Sequence, residues 1–334
     1  MSSPGMSTHK IIDLVTLGES MVLLQPPHDG ALAYAPLLQR SVGGAESNVA
    51  IALSRLSKKT RWVSRLGNDP FGDIILHALA GEGVDVSFVE RDASTHTALY
   101  FREIKGYGEP TVYYYRRGSA ASLLSASNVQ AEWMQDARHL HVTGITPALG
   151  AHTREAVEAA MRLARAMGLS ISYDPNLRRK LWDESTARET LLSLVPLCDV
   201  FLPGIEEAEF LLGENDAVKA GAAFLDRGAK VVVIKLGARG AVAFTREGHV
   251  EAPPLNVERV LDSVGAGDAF AAGVLSVLLD EEQASDVALP VLQRALERGN
   301  IMGALATQFR GDWEALPNLA ELQRIEAGQS PISR

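Results

Sequence analysis

The sequence predicts an α/β fold in which one mostly parallel β-sheet is covered by helices on both faces, giving three layers. Strand-like and helix-like stretches alternate along most of the chain. Its 334 residues, 46% of them hydrophobic, are enough to form a large core. Two β-type runs between residues 97 and 117 break the alternation and predict a second, smaller sheet. The strands of the main sheet are predicted at 11–18, 61–66, 137–142, 170–173, 198–202, 230–236 and 241–244.

The two β-type runs, 97–103 and 111–117, are joined by a turn rich in glycine rather than by a helix. This composition is typical of a β-hairpin. Because no helical crossover links the runs, we expect them to leave the main sheet. They predict a small β-sheet lid over a site, built from insertions at about 20–42 and 96–118.

Bulk properties exclude several classes of protein. The formal net charge of −9 argues against a nucleic-acid-binding surface. The single cysteine, Cys198, cannot form an internal disulfide, which favours a reducing compartment and predicts a cytoplasmic protein. No apolar run approaches the ~20 residues of a membrane helix. We treat residues 1–334 as one domain with a disordered tail at 1–10, since this tail lacks the apolar core of a signal peptide.

The stretch Asp-Ser-Val-Gly-Ala-Gly-Asp at 262–268 carries the most specific chemistry. A glycine-rich turn that opens a helix leaves N–H groups unpaired at the positive end of the helix dipole, and such a site suits a phosphate. Asp268 lies in the first turn, where it is interpreted as a general base that accepts a hydroxyl proton during phosphoryl transfer. From this stretch alone, a capping acid that stabilises the dipole by ~0.3–1 kcal/mol is an equal alternative.

Two further stretches suit a small ligand. Gly43 and Gly44 precede a helix that contains Asn48, and paired glycines allow a ligand to approach the backbone, although a tight strand–helix turn would also explain them. In the hairpin, alternation places Tyr114 and Arg116 on one face. An aromatic ring beside a guanidinium suits a ligand with a carboxylate, whereas a sheet edge protected by charge is the alternative.

Polar residues that directly follow parallel strands lie where α/β sheets bind ligands. Arg178 comes shortly after the strand 170–173 and is a candidate for binding an anionic substrate. Lys235 and the loop 237–240 fit a backbone turn that passes close to a nucleotide.

Together these motifs resemble the ribokinase-like, or PfkB, family of sugar kinases over nearly the whole chain. Gly43, Gly44 and Asn48 match the N-terminal signature of the family, and the stretch 262–268 matches its C-terminal signature. The hairpin falls where the family inserts its lid. Within the family, the similarity is greatest to kinases of 2-keto-3-deoxygluconate, on residues 43–46, 100, 114–120, 144–149, 176–178 and 181–182.

The resemblance implies a ribokinase-like three-layer α/β/α fold and transfer of phosphate from ATP to the terminal hydroxyl of 2-keto-3-deoxygluconate. It implies that the sugar acid contacts Gly43, Gly44, Asn48, Tyr100, Tyr114, Arg116, Arg178 and Asp268. It implies that ATP contacts Asn176, Arg178, Lys235, Gly237, Ala238, Arg239, Gly240, Gly265, Ala266, Gly267 and Asn300. The amides of Gly265, Ala266 and Gly267 would also stabilise the transferring phosphoryl group.

The resemblance further implies Mg²⁺, reached by Glu207 through water, and a monovalent cation such as K⁺ beside Asp262. Gly204 stands where the family has an asparagine, which weakens the Mg²⁺ assignment. An exposed β lid could pair with the lid of a second chain, so a homo-oligomer is expected.

Three alternatives stay open on the sequence. A kinase of the same fold could act on a neutral sugar or nucleoside, and the arginine pair Arg116 and Arg178 favours the acid. A nucleotide-binding dehydrogenase is disfavoured because the third glycine of its fingerprint is missing. A non-catalytic sensor is disfavoured because Asp268 is retained.

Overall fold

The computed structural model describes residues 12–107 and 110–329. The tail predicted at 1–10 and part of the hairpin turn lie outside these ranges. The strands are β1 Ile12–Leu17, β2 Met21–Gln25, β3 Gln39–Gly43, β4 Thr60–Val63, β5 Arg65–Gly67, β6 Glu90–Asp92, β7 Leu99–Glu103, β8 Thr111–Tyr115, β9 Ala137–Thr143, β10 Ser170–Asp174, β11 Val200–Phe201, β12 Val231–Lys235, β13 Ala241–Thr245 and β14 Gly248–Ala252. The helices are α1 Ala45–Arg55, α2 Pro70–Gly81, α3 Ala151–Ala166, α4 Glu184–Leu194, α5 Ile205–Leu212, α6 Ala217–Asp226, α7 Ala266–Leu278, α8 Leu289–Ala306 and α9 Leu319–Glu326.

The main sheet has its strands in the order β14-β13-β12-β11-β10-β9-β1-β4. Every neighbouring pair from β4 to β12 is parallel, whereas β13 runs antiparallel to both β12 and β14. The prediction of a mostly parallel sheet is confirmed. Because the parallel strands point the same way, the loops that follow them meet at one edge of the sheet, where ligands of α/β proteins bind.

Helices cover both faces of the main sheet, as predicted. One face packs against α3, α4, α5 and α6, and the other against α1, α7 and α8. The helix α7 is buried from Asp268 to Leu278 because small and apolar residues follow the acid. Its contact with α8 depends on Gly273, since a Cβ there would lie 2.9 Å from the Cα of Gly299. This close packing fixes the N-terminal end of α7 relative to the sheet.

The second sheet, β3-β2-β7-β8, is formed by the segments predicted to make a lid, and it is called the lid below. Its outer pairs are antiparallel and the central pair β2–β7 is parallel. The hairpin prediction is confirmed, because β7 pairs with β8 and Tyr100 lies opposite Tyr114. One face of the lid packs Val22 and Val42 against α1 and α2. The opposite face carries Tyr100 and faces a cavity.

Some short elements differ from the sequence prediction. The helix α9 and the strand β6 were not predicted, since segments this short carry too little periodicity to be distinguished from loops. The strand predicted at 61–66 is divided after Val63, because β4 stays in the main sheet whereas β5 pairs with β6 in a separate two-stranded sheet. The strand predicted at 198–202 is present only as Val200–Phe201. Across 12–107 and 110–329, no helix combines the length and the hydropathy that a membrane span requires.

Candidate active site

A cavity of about 640 Å³ lies between the lid and the carboxyl-terminal edge of the main sheet. Its walls come from the lid, from the loops after β1, β9 and β10, and from the N-terminal ends of α1 and α7. Most of the predicted ligand-binding residues line it: Gly43, Gly44, Asn48, Tyr100, Tyr114, Arg116, Asn176, Arg178, Glu207, Lys235, Gly265, Gly267 and Asp268.

Asp268 is held at the third position of α7 by two asparagine side chains. The Nδ2 atom of Asn48 donates to Asp268 Oδ2 at 2.8 Å, and Nδ2 of Asn176 donates to Oδ1 at 3.2 Å. The packing of α1 against α7 brings Asn48 to this position. Burial raises the pKa of Asp268 to about 6, although the Asn48 hydrogen bond opposes the shift. Asp268 is therefore an oriented carboxylate that is mostly ionised at neutral pH.

The turn before Asp268 requires glycine. Gly265 has a φ of +74°, in the left-handed region, and a Cβ there would collide with the carbonyl group of Asp312. Gly265 is the N-cap of α7, and the Ala266 N–H donates to the Ser263 carbonyl at 3.4 Å, whereas the amides of Gly267 and Asp268 belong to a first turn that offers them no carbonyl. The loop thus presents backbone donors beside the Asp268 carboxylate.

The end of β12 supplies a cation, Lys235, and the loop after β10 supplies a strained asparagine, Asn176. Lys235 Nζ donates to Asp174 Oδ2 at 2.6 Å. Burial disfavours the charged amine, but the carboxylates of Asp174 and Glu207 outweigh it and raise the pKa of Lys235. Asn176 has a φ of +38°, which is uncommon for a residue with a side chain, and its N–H donates to Asp174 Oδ1 at 3.0 Å. This backbone conformation aims its amide at Asp268.

Glu207 already has partners for both carboxylate oxygens. Its Oε1 accepts from the Leu177 N–H at 2.7 Å, and its Oε2 accepts from the Gly204 N–H at 2.6 Å. Burial raises the pKa of Glu207. These contacts fit a metal ion reached through a water better than one bound directly. Within the residues the structure describes, no group of three His, Cys, Asp or Glu side chains is arranged to hold a metal.

The lid wall stacks Tyr100 on Tyr114, with ring centroids 5.9 Å apart. Arg116 lies beside Tyr114, so the predicted alternation on β8 is confirmed. Its guanidinium, however, is paired with Glu19, with Nη2 at 2.6 Å and Nε at 2.7 Å from Oε2. Ser119 also hydrogen-bonds Glu19. Arg116 therefore reaches the cavity with its charge already neutralised.

Arg178 differs from Arg116 in having no carboxylate partner among the described residues. It lines the cavity, and its positive charge lowers the pKa of Asp268 against the effect of burial. Its neighbour Arg179 pairs with Glu184 at 2.7 Å. Arg178 is thus available to an anionic ligand, as is Lys180, which also lines the cavity and has no ion pair among the described residues.

Several cavity residues were missed by sequence reasoning. Glu19 and Asp174 follow or end main-sheet strands, so the strand-end rule that identified Arg178 could have found them. Arg102 lies two residues from Tyr100 on β7, hence on the same face. Asp312 lies in a loop without periodic pattern, and nothing local signals it.

Asp312 is a second buried carboxylate in the cavity. Its Oδ2 accepts from Asn48 Nδ2 at 3.2 Å, and its Oδ1 has no hydrogen-bond partner in the described chain. Burial raises the pKa of Asp312 to about 7. The same asparagine amide therefore bonds both Asp268 and Asp312.

Glu46 lies behind the cavity wall and is fully buried in the first turn of α1. Its Oε1 accepts from the hydroxyls of Thr143 and Thr146, each at 2.7 Å, while Oε2 has no partner in residues 12–107 and 110–329. Burial raises the pKa of Glu46 from 4.5 to about 7. This carboxyl ties α1 to the loop after β9.

We expect Glu46→Gln to stabilise the fold increasingly as pH rises. Because the folded pKa is raised, the native state of the wild type loses stability as pH rises from 4.5 through about 7, whereas glutamine stays neutral. The difference corresponds to about 3 kcal/mol at 1.36 kcal/mol per pKa unit. Urea unfolding of both proteins across this pH range measures it. Glu206→Gln, at an exposed first-turn position of α5, is the control; a parallel pH dependence for wild type and Glu46→Gln would contradict the prediction.

Some residues assigned to ATP or to metal ions lie outside this cavity. Asn300 Nδ2 donates to the carbonyls of Ala252 and Pro253 at 3.0 and 2.8 Å. The loop after β12 forms one 3-10 turn ending at Gly240, which has a φ of +88°. The assignment of the residues outside the cavity to ATP or to a metal ion stays a prediction. The residues outside the lining are Asp262, Ala266, Gly237, Ala238, Arg239, Gly240 and Asn300.

A model of the pfkB family of carbohydrate kinases matches residues 12–319, and so covers both the cavity and the lid. The chain belongs to this family. The kinase is 41% identical to a 2-dehydro-3-deoxygluconokinase of Bacillus subtilis, over 96% of the chain and 97% of that protein. It is also 34% identical to fructokinase-1 of Zea mays, over 94% of the chain and 97% of that protein. Its relatives thus include kinases named for an acidic sugar and for a neutral one.

Solved structures have the same fold as this kinase. A PfkB protein from Polaromonas sp. JS666 is 40% identical with a TM-score of 0.84, covering 93% of the chain and 99% of that structure. An E. coli protein assigned as a ribokinase II, in complex with ATP and Mg²⁺, is 28% identical with a TM-score of 0.84, covering 95% and 100%. A fructokinase from Vibrio cholerae with fructose, ADP and a potassium ion bound is 31% identical with a TM-score of 0.83, covering 94% and 98%. The ribokinase-like fold class is confirmed.

Proposed function

We propose that this kinase transfers the γ-phosphoryl group of ATP to the terminal hydroxyl of 2-keto-3-deoxygluconate, giving 2-keto-3-deoxy-6-phosphogluconate and ADP. The observation that carries the proposal is the juxtaposition of Asp268, held by two amides, with the unpaired cation of Arg178 in one cavity. The 41% identity to a 2-dehydro-3-deoxygluconokinase supports the choice of acceptor.

Asp268 accepts the proton of the terminal hydroxyl while that oxygen forms its bond to the γ-phosphorus. The bond between this phosphorus and the bridging oxygen of ADP breaks in the same displacement. Asn48 and Asn176 keep the carboxylate in one orientation, so little reorganisation is needed when the hydroxyl arrives. A pKa of about 6 leaves Asp268 ionised at neutral pH but still basic enough to accept a proton.

The loop before α7 stabilises the charge on the transferring group. Amides of Gly265, Ala266 and Gly267 at the helix N-terminus donate to oxygens of the phosphoryl group. Lys235, kept protonated by Asp174, adds a positive charge on the nucleotide side of Asp268. Positioning and electrostatics supply most of the acceleration in this class of reaction.

Mg²⁺ fits these residues as an ion that arrives with ATP. Magnesium commonly keeps several waters and contacts one or two carboxylates together with substrate phosphates. Glu207, whose oxygens already accept backbone N–H groups, would hold it through water, with Asp174 nearby. When bound, the ion neutralises phosphate charge.

The acceptor follows from the charges in the cavity. Arg178 has no carboxylate partner in the described residues, so an anionic substrate group would complete its pairing. Charge-assisted bonds between a guanidinium and a carboxylate are among the stronger polar contacts. We therefore propose that the carboxylate of the sugar acid binds Arg178. Arg116 lies on the opposite wall of the cavity, on the lid, beside the stacked rings of Tyr100 and Tyr114.

A neutral sugar such as fructose is the second candidate. The observation that favours it is the Arg116–Glu19 pair, in which one of the two expected anion-binding arginines is already neutralised. The 34% identity to a fructokinase points the same way.

A coupled assay of ADP release decides between these acceptors. With ATP and Mg²⁺ held constant, we expect kcat/KM for 2-keto-3-deoxygluconate to exceed that for fructose by about 10–100-fold, because a charged hydrogen bond contributes about 1.5–3 kcal/mol. Mass spectrometry of the product identifies the phosphorylated sugar. A higher kcat/KM for fructose would overturn the assignment of the acid.

We also propose that two copies of the chain associate through their lids. The strands β3 and β8 are the edges of the lid sheet, and Tyr113 and Tyr115 on β8 are exposed. Unpaired strand edges with exposed aromatic rings suit association.

A further inference from the structure

A buried ion pair joins the lid to the loop that precedes the catalytic helix. Nη1 of Arg102, on the lid strand β7, lies 2.5 Å from Oδ2 of Asp262, and each side chain is 3% exposed. Asp262 is the first residue of the Asp-Ser-Val-Gly-Ala-Gly-Asp loop. Its other oxygen, Oδ1, accepts from the Val264 N–H at 3.1 Å and so shapes the turn that leads to Gly265.

Asp262 is the residue at which the family resemblance implies a monovalent cation, and a related fructokinase was solved with a potassium ion bound. The residues present here do not fit such an ion at this carboxylate. One oxygen accepts a backbone N–H, and the other lies against a guanidinium that neutralises the charge. A carboxylate this deeply buried needs one compensating positive charge, and Arg102 already provides it.

We infer that the guanidinium of Arg102 takes the place of a monovalent cation at the Asp262 loop, so that phosphoryl transfer by this kinase does not require K⁺. Arg102 acts here as a positioning residue. Its guanidinium pairs with Asp262, and Asp262 accepts the Val264 N–H and so fixes the turn. This turn positions the amides of Gly265, Ala266 and Gly267.

The same arrangement links the loop to the lid. Arg102 lies two residues from Tyr100 on β7 and faces the cavity with it. A cation from solution would neutralise Asp262 whatever the position of the lid. The guanidinium of Arg102 neutralises Asp262 only when the lid is in the position described here. The loop that begins at Asp262 is therefore ordered only when the lid is closed.

The inference needs phosphoryl transfer but no particular acceptor. It is therefore tested with whichever sugar the kinase accepts, and loss of the sugar-acid assignment would not count against it. Activity is compared in KCl, NaCl and tetramethylammonium chloride at an equal ionic strength of about 0.1 M. We expect the wild type to have the same kcat in all three, within about twofold, because its loop carries its own cation.

Arg102→Ala should create a cation requirement that the wild type lacks. In tetramethylammonium chloride we expect kcat to fall about 100-fold, as when one donor to a developing anion is lost. K⁺ or guanidinium should recover most of that loss and should raise the thermal unfolding midpoint of this variant alone. Arg61→Ala, which breaks a different, partly buried pair with Asp85, is the control and should show no rescue by K⁺.

Arg102→Lys keeps the charge and should remain independent of K⁺, so the inference stays testable if Arg102→Ala does not fold. Activation of the wild type by K⁺ of about tenfold or more would overturn the inference, because that is far outside the twofold agreement expected of a loop carrying its own cation. It would equally be overturned if Arg102→Lys became K⁺-dependent, or if a folded Arg102→Ala were insensitive to both K⁺ and guanidinium.

Discussion

Replacing Asp268 with asparagine should lower kcat by about 10²–10⁴-fold, the usual contribution of a positioned general base. Asparagine has nearly the same shape, so α7 and the cavity should keep their structure. The amide cannot accept the hydroxyl proton, however. ATP binding should change little, since Lys235 and the helix-terminal amides remain. Steady-state kinetics and nucleotide titration of the purified variant measure both quantities.

The pH profile gives this prediction a second readout. Because burial raises the pKa of Asp268 to about 6, kcat/KM of the wild type should be flat above pH 7 and fall about tenfold per unit below pH 6 as the base becomes protonated. The residual kcat/KM of Asp268→Asn should not show this decrease below pH 6.

Asp216→Asn is the matched control, because it makes the same substitution at an exposed helix N-terminus, that of α6. It should leave kcat unchanged. Near-normal turnover by Asp268→Asn would reduce Asp268 to a helix-capping acid, the alternative that the isolated loop sequence leaves open.

Replacing Arg178 with methionine should lower kcat/KM for 2-keto-3-deoxygluconate by about 10–100-fold. A charge-assisted bond between a guanidinium and a carboxylate contributes about 1.5–3 kcal/mol. Methionine keeps much of the side-chain length and apolar packing while removing the charge. The loss should appear mainly as a higher KM for the sugar acid, with a smaller effect on activity toward fructose.

Arg162→Met is the control: it removes the same charge from a side chain that does not line the cavity, is 64% exposed and pairs with Glu158. We expect it to change kcat/KM by less than about threefold, as is usual when an exposed ion pair is lost. If Arg178→Met lowered kcat/KM equally for the sugar acid and for fructose, Arg178 would contact the transferring phosphoryl group and not the substrate carboxylate.

Much of the site could be predicted because its signals are local. The Gly-Ala-Gly turn before Asp268 has to open a helix, and Gly265 does adopt the left-handed conformation at the N-cap of α7. The hairpin composition predicted β7 and β8, and simple alternation placed Tyr114 and Arg116 on one face. These inferences depend only on residues a few positions apart.

The state of each charge could not be predicted, because its partner lies far away in the sequence. Arg116 is neutralised by Glu19, 97 residues earlier, whereas Arg178 is left unpaired within the described chain. Asn48 reaches Asp268 across 220 residues. Asp312 enters the cavity from a loop with no recognisable pattern.

The sequence by itself determined the layered α/β fold, the β7–β8 hairpin and the glycine turn before α7 with its acid, since periodicity and backbone geometry are properties of short segments. Only the tertiary structure decided which arginine is available to a substrate, which carboxylates are raised in pKa by burial, and that Asp262 is neutralised by Arg102. Burial and ion pairing depend on which loops meet at the carboxyl edge of the sheet, and that is settled by the packing of the whole domain.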